Sequence, residues 1–171
     1  FDENFNGKFK GRSIFIGTED QIINQVQKKF IGHIFSPDNF FCTESNPSDI
    51  FPECFNYRSD FCSKIIDCVR KEAEKCDFLQ GFQMIHCLGG GTGSGLACFI
   101  LKELRDEFPD TILSTFSMLP EKNINSICEP INCVLSLHHL TNLADEVFCF
   151  ENDKLEMMVT KGLRFSCSSY G

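Results

Sequence analysis

The sequence contains no tryptophan and only two tyrosines, although it has nineteen phenylalanines among its 171 residues. These rings, within a hydrophobic content of 42%, supply enough apolar bulk for a folded core and exclude a disordered chain. No apolar run reaches the roughly 18 to 20 residues that a membrane-spanning helix requires. We therefore predict no membrane segment, and from the length one domain with a single core over residues 1–171.

Positive charge is also scarce, with 16 Lys and Arg against 24 Asp and Glu and a net charge of −8. The sequence has no stripe of basic residues that could contact the phosphate backbone of a nucleic acid, which argues against a nucleic-acid-binding protein. The first residues, Phe1 to Asn4, have neither a basic nor an apolar stretch, so they do not predict a secretory leader. An acidic chain can still bind phosphate, but it would use backbone N–H groups and a metal ion instead of a lysine cluster.

The eleven cysteines lack the spacing of a zinc site, because no Cys-x-x-Cys pair occurs and the four histidines add no zinc pattern. Their odd number and the length of the chain also disfavour the alternative, a disulfide scaffold. Cys62, Cys98 and Cys133 lie in helix-patterned stretches at positions where small apolar residues pack. We interpret the cysteines as reduced thiols of a cytosolic protein.

Strand-like and helix-like segments alternate along the chain. Short apolar runs predict strands over 13–16, 81–88, 111–118 and 146–150. Helical spacing of apolar residues predicts helices over 18–30, 60–76, 96–108, from Pro130 through His138, and from Asn152 to near Gly162. Residues 30–57 are predicted to be a long irregular connection with turn signals. This order predicts an α/β fold, a mostly parallel sheet with helices on both faces.

Three helix starts carry local signals. Thr18 to Gln21 has the form of a capping box. Pro130 is predicted to be the first residue of its helix, where its missing N–H costs nothing. Asn152 is predicted to cap the last helix.

The segment with the clearest chemistry is the glycine-rich run at 89–95, Gly-Gly-Gly-Thr-Gly-Ser-Gly. It lies between a predicted strand and a predicted helix, where ligands bind in parallel α/β sheets. Without Cβ atoms, successive N–H groups can face an anion, and the helix N-terminus adds partial positive charge. The hydroxyls of Thr92 and Ser94 are candidates for a phosphate oxygen or a magnesium ion. We therefore predict a phosphate-binding turn; a flexible linker is the alternative.

The run is neither a Walker A loop, since no Gly-Lys-Ser/Thr follows, nor a dinucleotide fingerprint in its usual spacing. The segment from Leu88 to Gly95 is instead similar to the signature of the tubulin family. The phrases Pro-Asp-Asn-Phe at 37–40 and Leu-Gln-Gly-Phe-Gln at 79–83 favour the β class. Further matches in the family's order extend from about Gly7 to Gly171, so the chain resembles the nucleotide-binding domain of a divergent β-tubulin.

This resemblance implies a subunit of a microtubule-type polymer that binds GTP or GDP with Mg²⁺. It implies α-tubulin-type subunits and the microtubule lattice as partners, and a location in cytoplasmic or axonemal microtubules. The residues that it assigns to phosphate are Gly89, Gly90, Gly91, Thr92, Gly93 and Ser94.

Further roles follow from the same resemblance. Pro120 and Glu129 would contact the sugar, Asn152 would read guanine, Tyr170 would stack on the base, and Glu19 would lie near the magnesium and its water. Three of these residues also have a plainer interpretation. Asn152 and Glu129 stand where helices begin, and Glu19 belongs to the predicted capping box.

The sequence departs from the family around the metal and the third phosphate. Gly17 replaces an aspartate beside the metal site. Residues 45–49, Ser-Asn-Pro-Ser-Asp, replace the loop that closes over the γ-phosphate. The proline removes an N–H, and Asp49 brings negative charge toward phosphate. The connection from Pro120 to Glu129 is one residue shorter than in the family, with Asn125 about where an aspartate is expected.

These changes favour an alternative function, a tubulin-like interaction or capping module that keeps the fold but has lost GTP turnover. An unrelated α/β enzyme has little support, because the sequence shows no nucleophile–base pair and no paired catalytic carboxylates. The family's first strand and its hydrolysis-triggering loop have no counterpart in these 171 residues. We therefore expect this piece to be unstable on its own, and to show no GTP hydrolysis above background.

Overall fold

The computed structural model describes residues 2–3, 9–43, 48–57, 60–121 and 126–163. Its elements, in chain order, are β1 (Asp2–Glu3), β2 (Phe9–Lys10), β3 (Phe15–Gly17), α1 (Asp20–Lys28), β4 (Phe40–Cys42), α2 (Phe51–Phe55), α3 (Asp60–Glu74), β5 (Gly81–Cys87), α4 (Ala97–Glu107), β6 (Ile112–Met118), α5 (Cys128–Leu143), β7 (Glu146–Phe150) and α6 (Asn152–Met157). Short 3₁₀ turns cover Phe30–Ile34 and Pro37–Asn39, and π turns cover Thr92–Leu96 and Met158–Gly162.

The chain forms two compact units, and the prediction of a single domain stays a prediction. The first unit contains residues 1–47 and 57–79, and the second contains residues 48–56 and 80–171. In the first unit β1 pairs antiparallel with β2, and β3 pairs parallel with β4. Phe15 of β3 stacks on Phe40 of β4 with ring centroids 4.7 Å apart, and it meets Phe35 edge-on at 4.8 Å. Aromatic packing of this kind explains how a three-residue strand pair is stable.

The second unit is built on a three-stranded parallel sheet in the order β5-β6-β7. Alternate residues of β6, namely Leu113, Thr115 and Ser117, are fully buried, as the period of two in a strand requires for a covered face. Helix α4 is buried around most of its circumference, and Cys98 on it lies 3.9 Å from the Ser136 carbonyl oxygen of α5. The predicted α/β fold with parallel strands is confirmed.

The opposite face of this sheet carries an apolar row in register. Ile85 pairs with Phe116, which pairs with Phe148, so their side chains share one face. The rings of Phe116 and Phe148 stack with centroids 5.0 Å apart. Nevertheless Ile85 is 84% exposed and Phe148 is 44% exposed. Strand β5 therefore resembles a fully buried strand in the sequence, because both of its faces carry apolar residues. In the structure, α4 and α5 cover one of these faces.

Most predicted elements are confirmed to within two residues, and β7 has the predicted bounds. The prediction of an irregular 30–57 segment is wrong, because it contains β4 and α2. These elements have three and five residues, too few to show a period in the sequence.

The three predicted helix starts are also displaced. Helix α1 has Glu19 as its N-cap, with no cap bond from the Glu19 side chain, so the helix begins one residue after the predicted cap at Thr18. Helix α5 begins at Cys128, which makes Pro130 its third residue. Helix α6 has Glu151 as its N-cap, and Asn152 is its first residue instead of its cap.

The described part of the chain has ten cysteines, and all are free thiols. Across the same ranges, none of the helices has both the length and the apolar character needed to cross a membrane.

Arg105 joins three elements of the second unit near the start of β6. Its Nε and Nη2 atoms donate to the Leu143 carbonyl oxygen at the end of α5, at 3.0 and 2.8 Å. Its Nη1 atom donates to the Thr111 carbonyl oxygen at 3.1 Å, and Nη2 lies 2.6 Å from Asp145 Oδ2. The Leu113 N–H and then Arg105 lower the pKa of Asp145. The Arg105 guanidinium therefore donates hydrogen bonds to carbonyl groups of separate segments.

We predict that Arg105→Met lowers the free energy of unfolding by about 2–3 kcal/mol, because half-buried carbonyl groups lose charged donors. The matched control is Arg70→Met. Arg70 pairs with Asp67 on the surface, and the two side chains are 45% and 58% exposed, so its loss should cost less than about 1 kcal/mol. Urea unfolding measures both values, and equal losses in the two variants would contradict the assignment.

Candidate functional site

The glycine run connects the end of β5 to α4 within the second unit. The Leu88 N–H donates to the Met118 carbonyl oxygen at 2.9 Å, which continues the β5–β6 ladder by one residue. The Ser94 N–H donates to the Gly90 carbonyl oxygen at 3.0 Å, which begins the helical path. The N–H groups just before this bond belong to a helix N-terminus, where an acceptor from outside the helix is needed.

Two of the glycines are required by close packing against the segment that precedes and forms α2. A Cβ atom on Gly91 would collide with the Ser48 carbonyl oxygen and would lie 2.8 Å from Cys54 Sγ. A Cβ atom on Gly95 would collide with the Phe51 carbonyl oxygen and would lie 2.8 Å from Cys54 Cβ. Gly91 has φ −60° and ψ −42°, so its backbone is helical. Glycine is therefore required at position 91 because its neighbours leave no space for a Cβ atom, and not because the backbone has a positive φ.

Gly93 and His86 fix the turn to the sheet. A Cβ atom on Gly93 would collide with the Cys87 carbonyl oxygen. His86 Nδ1 lies 2.5 Å from the Gly93 carbonyl oxygen, and its Nε2 lies 2.9 Å from Ser117 Oγ. A carbonyl oxygen only accepts, so Nδ1 carries the hydrogen. Burial lowers the pKa of His86, opposed by the bond to Gly93, so in the neutral ring Nε2 accepts from the Ser117 hydroxyl.

The open side of the turn is at Gly89 and Gly90. Gly90 is exposed, and a Cβ atom there would meet no atom within 4 Å. A Cβ atom on Gly89 would lie 3.5 Å from Glu129 Cγ and 3.8 Å from Pro120 Cβ. The structure thus brings together Gly89, Pro120 and Glu129, which the family resemblance assigns to phosphate and sugar.

Asn152 lies at the end of the neighbouring strand β7. The Leu119 N–H donates to the Phe150 carbonyl oxygen at 2.8 Å, so β6 and β7 stay paired up to this edge. The Asn152 side chain reaches Glu121, with Nδ2 3.5 Å from Oε1, a long contact. Because β5, β6 and β7 are parallel, the turn, Pro120 and Asn152 follow three adjacent carboxyl ends, where ligands bind in such sheets.

Asn132, which lies on α5, has a structural role that we did not predict from the sequence. It is 1% exposed. Its Nδ2 atom donates to the carbonyl oxygens of Asp49 and Gly89, both at 2.7 Å, and its Oδ1 atom accepts from the Phe51 N–H at 2.9 Å. One buried amide therefore connects the glycine turn, the residues before α2, and α5.

Asn132 and His86 share a sequence signal that could have identified them. Each is a polar residue inside an apolar stretch, His86 after Met84 and Ile85, and Asn132 between Ile131 and Cys133. A buried polar side chain must be hydrogen-bonded, so such positions are candidates for internal cross-links.

The two hydroxyls of the turn differ. Ser94 is fully buried, and its Oγ donates to the Gly91 carbonyl oxygen at 3.3 Å. The Ser94 hydroxyl therefore faces into the turn, whereas we expected from the sequence that it would be available to a phosphate oxygen or a magnesium ion. Thr92 is half-buried.

The remaining predicted residues fall elsewhere. Glu19 is exposed and immediately precedes α1, and Gly17 ends β3, both in the first unit. Residues 44–47, Asn125 and Tyr170 lie outside the described residues. Of the segment 45–49, Ser48 and Asp49 are described, and both lie against Gly91. Within the described ranges, three or more His, Cys, Asp or Glu side chains nowhere form a group that could hold a metal ion.

Comparison with known proteins decides the family. A model of the Tubulin/FtsZ family, GTPase domain, matches residues 1–160. The chain belongs to this family. Its relatives include the tubulin beta chain of Saccharomyces cerevisiae, 38% identical over 173 residues that cover 100% of this chain and 38% of the relative. The tubulin beta-6 chain of Gallus gallus is 36% identical over 100% of this chain and 39% of the relative.

The resemblance to β-tubulins inferred from the glycine run and the flanking phrases is thereby confirmed. The tubulin beta chain of Candida albicans is 37% identical over 99% of this chain and 38% of the relative. The chain spans less than two fifths of the length of these curated tubulin relatives.

We predict that Gly91→Ala destabilises the fold by about 1–3 kcal/mol, although alanine is the better residue for a helical backbone. The added methyl group would collide with the Ser48 carbonyl oxygen. Gly90→Ala is the matched control, since its methyl group would meet no atom within 4 Å. Thermal and urea unfolding of both variants check this, and equal stability of the two would refute the packing role of Gly91.

We also predict that His86 makes the fold sensitive to acid. Its pKa is lowered in the folded state from the ordinary 6.5, so the unfolded chain binds its proton first. The stability it supports is complete above pH 6.5 and is lost as the pH falls below it, by at most about 1.4 kcal/mol per pH unit. His86→Asn keeps a donor for Gly93 and removes the titration. The free energy of unfolding, measured between pH 7.5 and 5, should therefore fall less steeply with decreasing pH in the variant. An identical pH dependence in the two proteins would exclude His86 as the source of the acid sensitivity.

Proposed function

We propose that this chain binds GTP or GDP, with the nucleotide phosphates at the glycine turn. The observation that carries this proposal is the two-sided geometry of the turn. Gly91, Gly93 and Gly95 are held by close packing, while Gly90 is open to solvent at the carboxyl edge of a parallel sheet. A turn that is rigid on one side and open on the other suits an anion, because its N–H groups are already oriented.

Backbone groups supply the phosphate interaction in this proposal. The helix that begins after Gly90 adds its partial positive charge to the N–H groups of Gly89, Gly90, Gly91, Thr92 and Gly93. Each bond from N–H to phosphate contributes roughly 1.5–3 kcal/mol. Several together account for affinity in the micromolar range, about 8 kcal/mol, in a chain with a net charge of −8. Ser94 shapes the turn through its bond to Gly91 instead of donating to the ligand.

The rest of the nucleotide extends along the sheet edge. Pro120 and Glu129, which flank Gly89, contact the sugar, and Asn152 at the end of β7 reads the guanine edge. Tyr170, outside the described residues, is the proposed stacking partner of the base. The order phosphate, sugar and base then follows the order β5, β6 and β7.

Magnesium enters as a ligand of the nucleotide phosphates, because Mg²⁺ commonly binds through substrate phosphates and waters with one or two carboxylates. Glu19 is the carboxylate that the family resemblance assigns to the metal and its water, and it lies in the first unit. When bound, the metal would neutralise phosphate charge. Gly17 stands where the family has an aspartate, so this chain lacks one carboxylate that the family has beside the metal.

We further propose that the whole protein is a cytoskeletal subunit that assembles with tubulin-type partners into microtubules in the cytoplasm. Support for this comes from the relatives, which carry the name tubulin beta chain. The alternative is an interaction or capping module that has lost GTP turnover. The Ser-Asn-Pro-Ser-Asp sequence at 45–49 favours it, because Asp49 carries a negative charge and its backbone lies against Gly91 of the turn.

We predict that GTP and GDP displace a fluorescent guanine nucleotide from the longest soluble form of the protein, and that ATP does not. Gly90→Val should weaken binding at least tenfold, because its side chain would occupy the open side of the turn. Gly162→Val is the matched control, since a Cβ atom there also meets no atom within 4 Å. Equal displacement by ATP would exclude guanine specificity, and unchanged affinity in a folded Gly90→Val variant would exclude phosphate at this turn.

A further inference from the structure

Helix α5 has different neighbours on its two flanks. Its buried row consists of Asn132, Ser136 and Leu140. On one flank, His139 stacks on Phe51 of α2 with ring centroids 5.4 Å apart. Cys133 and His139 lie three residues before and after Ser136, which places them about 60° to opposite sides of the buried row. Because α2 also packs against α4, which follows β5, the flank with Cys133 is directed toward β7.

Cys149 lies on β7, on the face of the sheet that α5 covers. It pairs in register with Ser117 of β6, which pairs in turn with His86 of β5. Ser117 is fully buried on the covered face. Cross-strand partners project to the same side of a sheet, so the Cys149 side chain also points to the side of α5.

The two cysteines also lie at the same level along the strands. Helix α5 ends at Leu143, and the Asp145 N–H that follows donates to the Leu113 carbonyl oxygen at the start of β6, at 2.9 Å. From Leu143 back to Cys133 the helix spans about 15 Å, and from Leu113 to Ser117 the strand spans about 13 Å. Cys133 is therefore level with Ser117, and so with its partner on β7.

The electrostatics of the two thiols agree with this placement. Burial, and then the negative charge of an ionised Cys149, raise the pKa of Cys133. Such an interaction weakens with distance, so the two sulfur atoms are near neighbours. Cys133 is half-buried and Cys149 is exposed. A small oxidant can therefore reach the pair from solvent at Cys149.

We propose that Cys133 and Cys149 form a dithiol modification site, at which a hydroperoxide produces a reversible disulfide that joins α5 to the edge of the sheet. This inference goes beyond the proposed nucleotide function and does not depend on it. Both thiols are free in the structure. Disulfides of cytosolic proteins are usually transient or redox-sensing, so reduced cysteines are the resting state of such a site.

The position of β7 suits this bond. Among the described strands β7 pairs with β6 alone. An edge strand of this kind can adjust toward the helix more easily than a central strand. It can thereby meet the geometry of a disulfide, in which the Cβ atoms lie about 3.8 Å apart.

The chemistry assigns different roles to the two sulfur atoms. The exposed Cys149 sulfur, as a thiolate, attacks one oxygen of hydrogen peroxide. The O–O bond breaks, a sulfenic acid forms on Cys149, and the other oxygen leaves as water after taking up a proton. The Cys133 sulfur then attacks the sulfenic sulfur, the S–S bond forms, and the S–O bond breaks to release a second water. The two thiols lose two hydrogen atoms and two electrons, and a small thiol in excess restores them by exchange.

The test is peptide mapping of the longest soluble form of the protein after reduction, mild treatment with hydrogen peroxide and blocking of the remaining thiols. Glutamyl endopeptidase cleaves after Glu146 and so separates Cys133 from Cys149 in the sequence. We expect mass spectrometry without reduction to show these two cysteines joined, with the loss of two hydrogen atoms, and dithiothreitol to remove the link. Absence of this link after peroxide treatment of the folded protein would overturn the inference.

Cys128 provides a matched control on the same helix. It is half-buried like Cys133, but it lies on the opposite flank of α5. Cys128→Ser should leave the yield of the link unchanged. Cys133→Ser should abolish the link and leave the sulfenic acid of Cys149 to be trapped by dimedone. An equal loss of the link in Cys128→Ser and Cys133→Ser would contradict the assignment.

The unsubstituted protein in urea separates the effect of the fold from that of the sequence. Cys128 and Cys133 close loops of similar length with Cys149, so in the unfolded chain their yields should agree within about twofold. In the folded protein we expect the Cys133–Cys149 link to exceed the Cys128–Cys149 link by at least tenfold, as tandem mass spectra distinguish the two. The same ratio in folded and unfolded protein would show that the fold does not bring Cys133 and Cys149 together, and would overturn the inference.

Discussion

The close approach of backbone carbonyl groups to the glycine run is the constraint on which the second unit depends. The carbonyl oxygens of Ser48, Cys87 and Phe51 occupy the positions that Cβ atoms on Gly91, Gly93 and Gly95 would need. Strand β5 and helix α2 can therefore pack directly on the start of α4. The same packing leaves Gly90 as the accessible glycine of this turn. The close packing of the turn and the open side at which we propose that an anion binds thus arise from one arrangement.

Buried polar side chains hold the turn in the close packing that the glycines allow. His86 ties the Gly93 carbonyl to Ser117 on β6, and Asn132 ties the Gly89 carbonyl to the residues before α2. The bonds to Gly93, Gly89 and Asp49 satisfy carbonyl groups whose burial would otherwise cost free energy. Because these partners are neutral, the turn keeps the positive potential of its helix N-terminus in an acidic chain. The proposed binding of phosphate at this sheet edge therefore does not require a lysine.

The sequence was sufficient to predict the parallel α/β fold, because its longer strands and helices show the hydrophobic period of their secondary structure. Strand β7 and helices α3 and α4 were predicted to within two residues of their bounds. The proximity of Gly89, Pro120 and Glu129 was anticipated by the family resemblance. Helix α2 and the roles of His86 and Asn132 were not predicted, because they arise from contacts between residues distant in sequence. Five residues of α2 are too few for a period, and no local pattern specifies which carbonyl a buried amide will meet.

The central claim is that nucleotide phosphates bind at the backbone N–H groups of the glycine turn. Amide chemical shifts measured during titration of the longest soluble form of the protein with GDP test it most directly. The account predicts that the largest shifts belong to the amides of Gly89, Gly90, Gly91, Thr92 and Gly93, with smaller shifts at Glu129 and Asn152. Saturable binding of GDP that leaves these five amides unshifted would contradict the account.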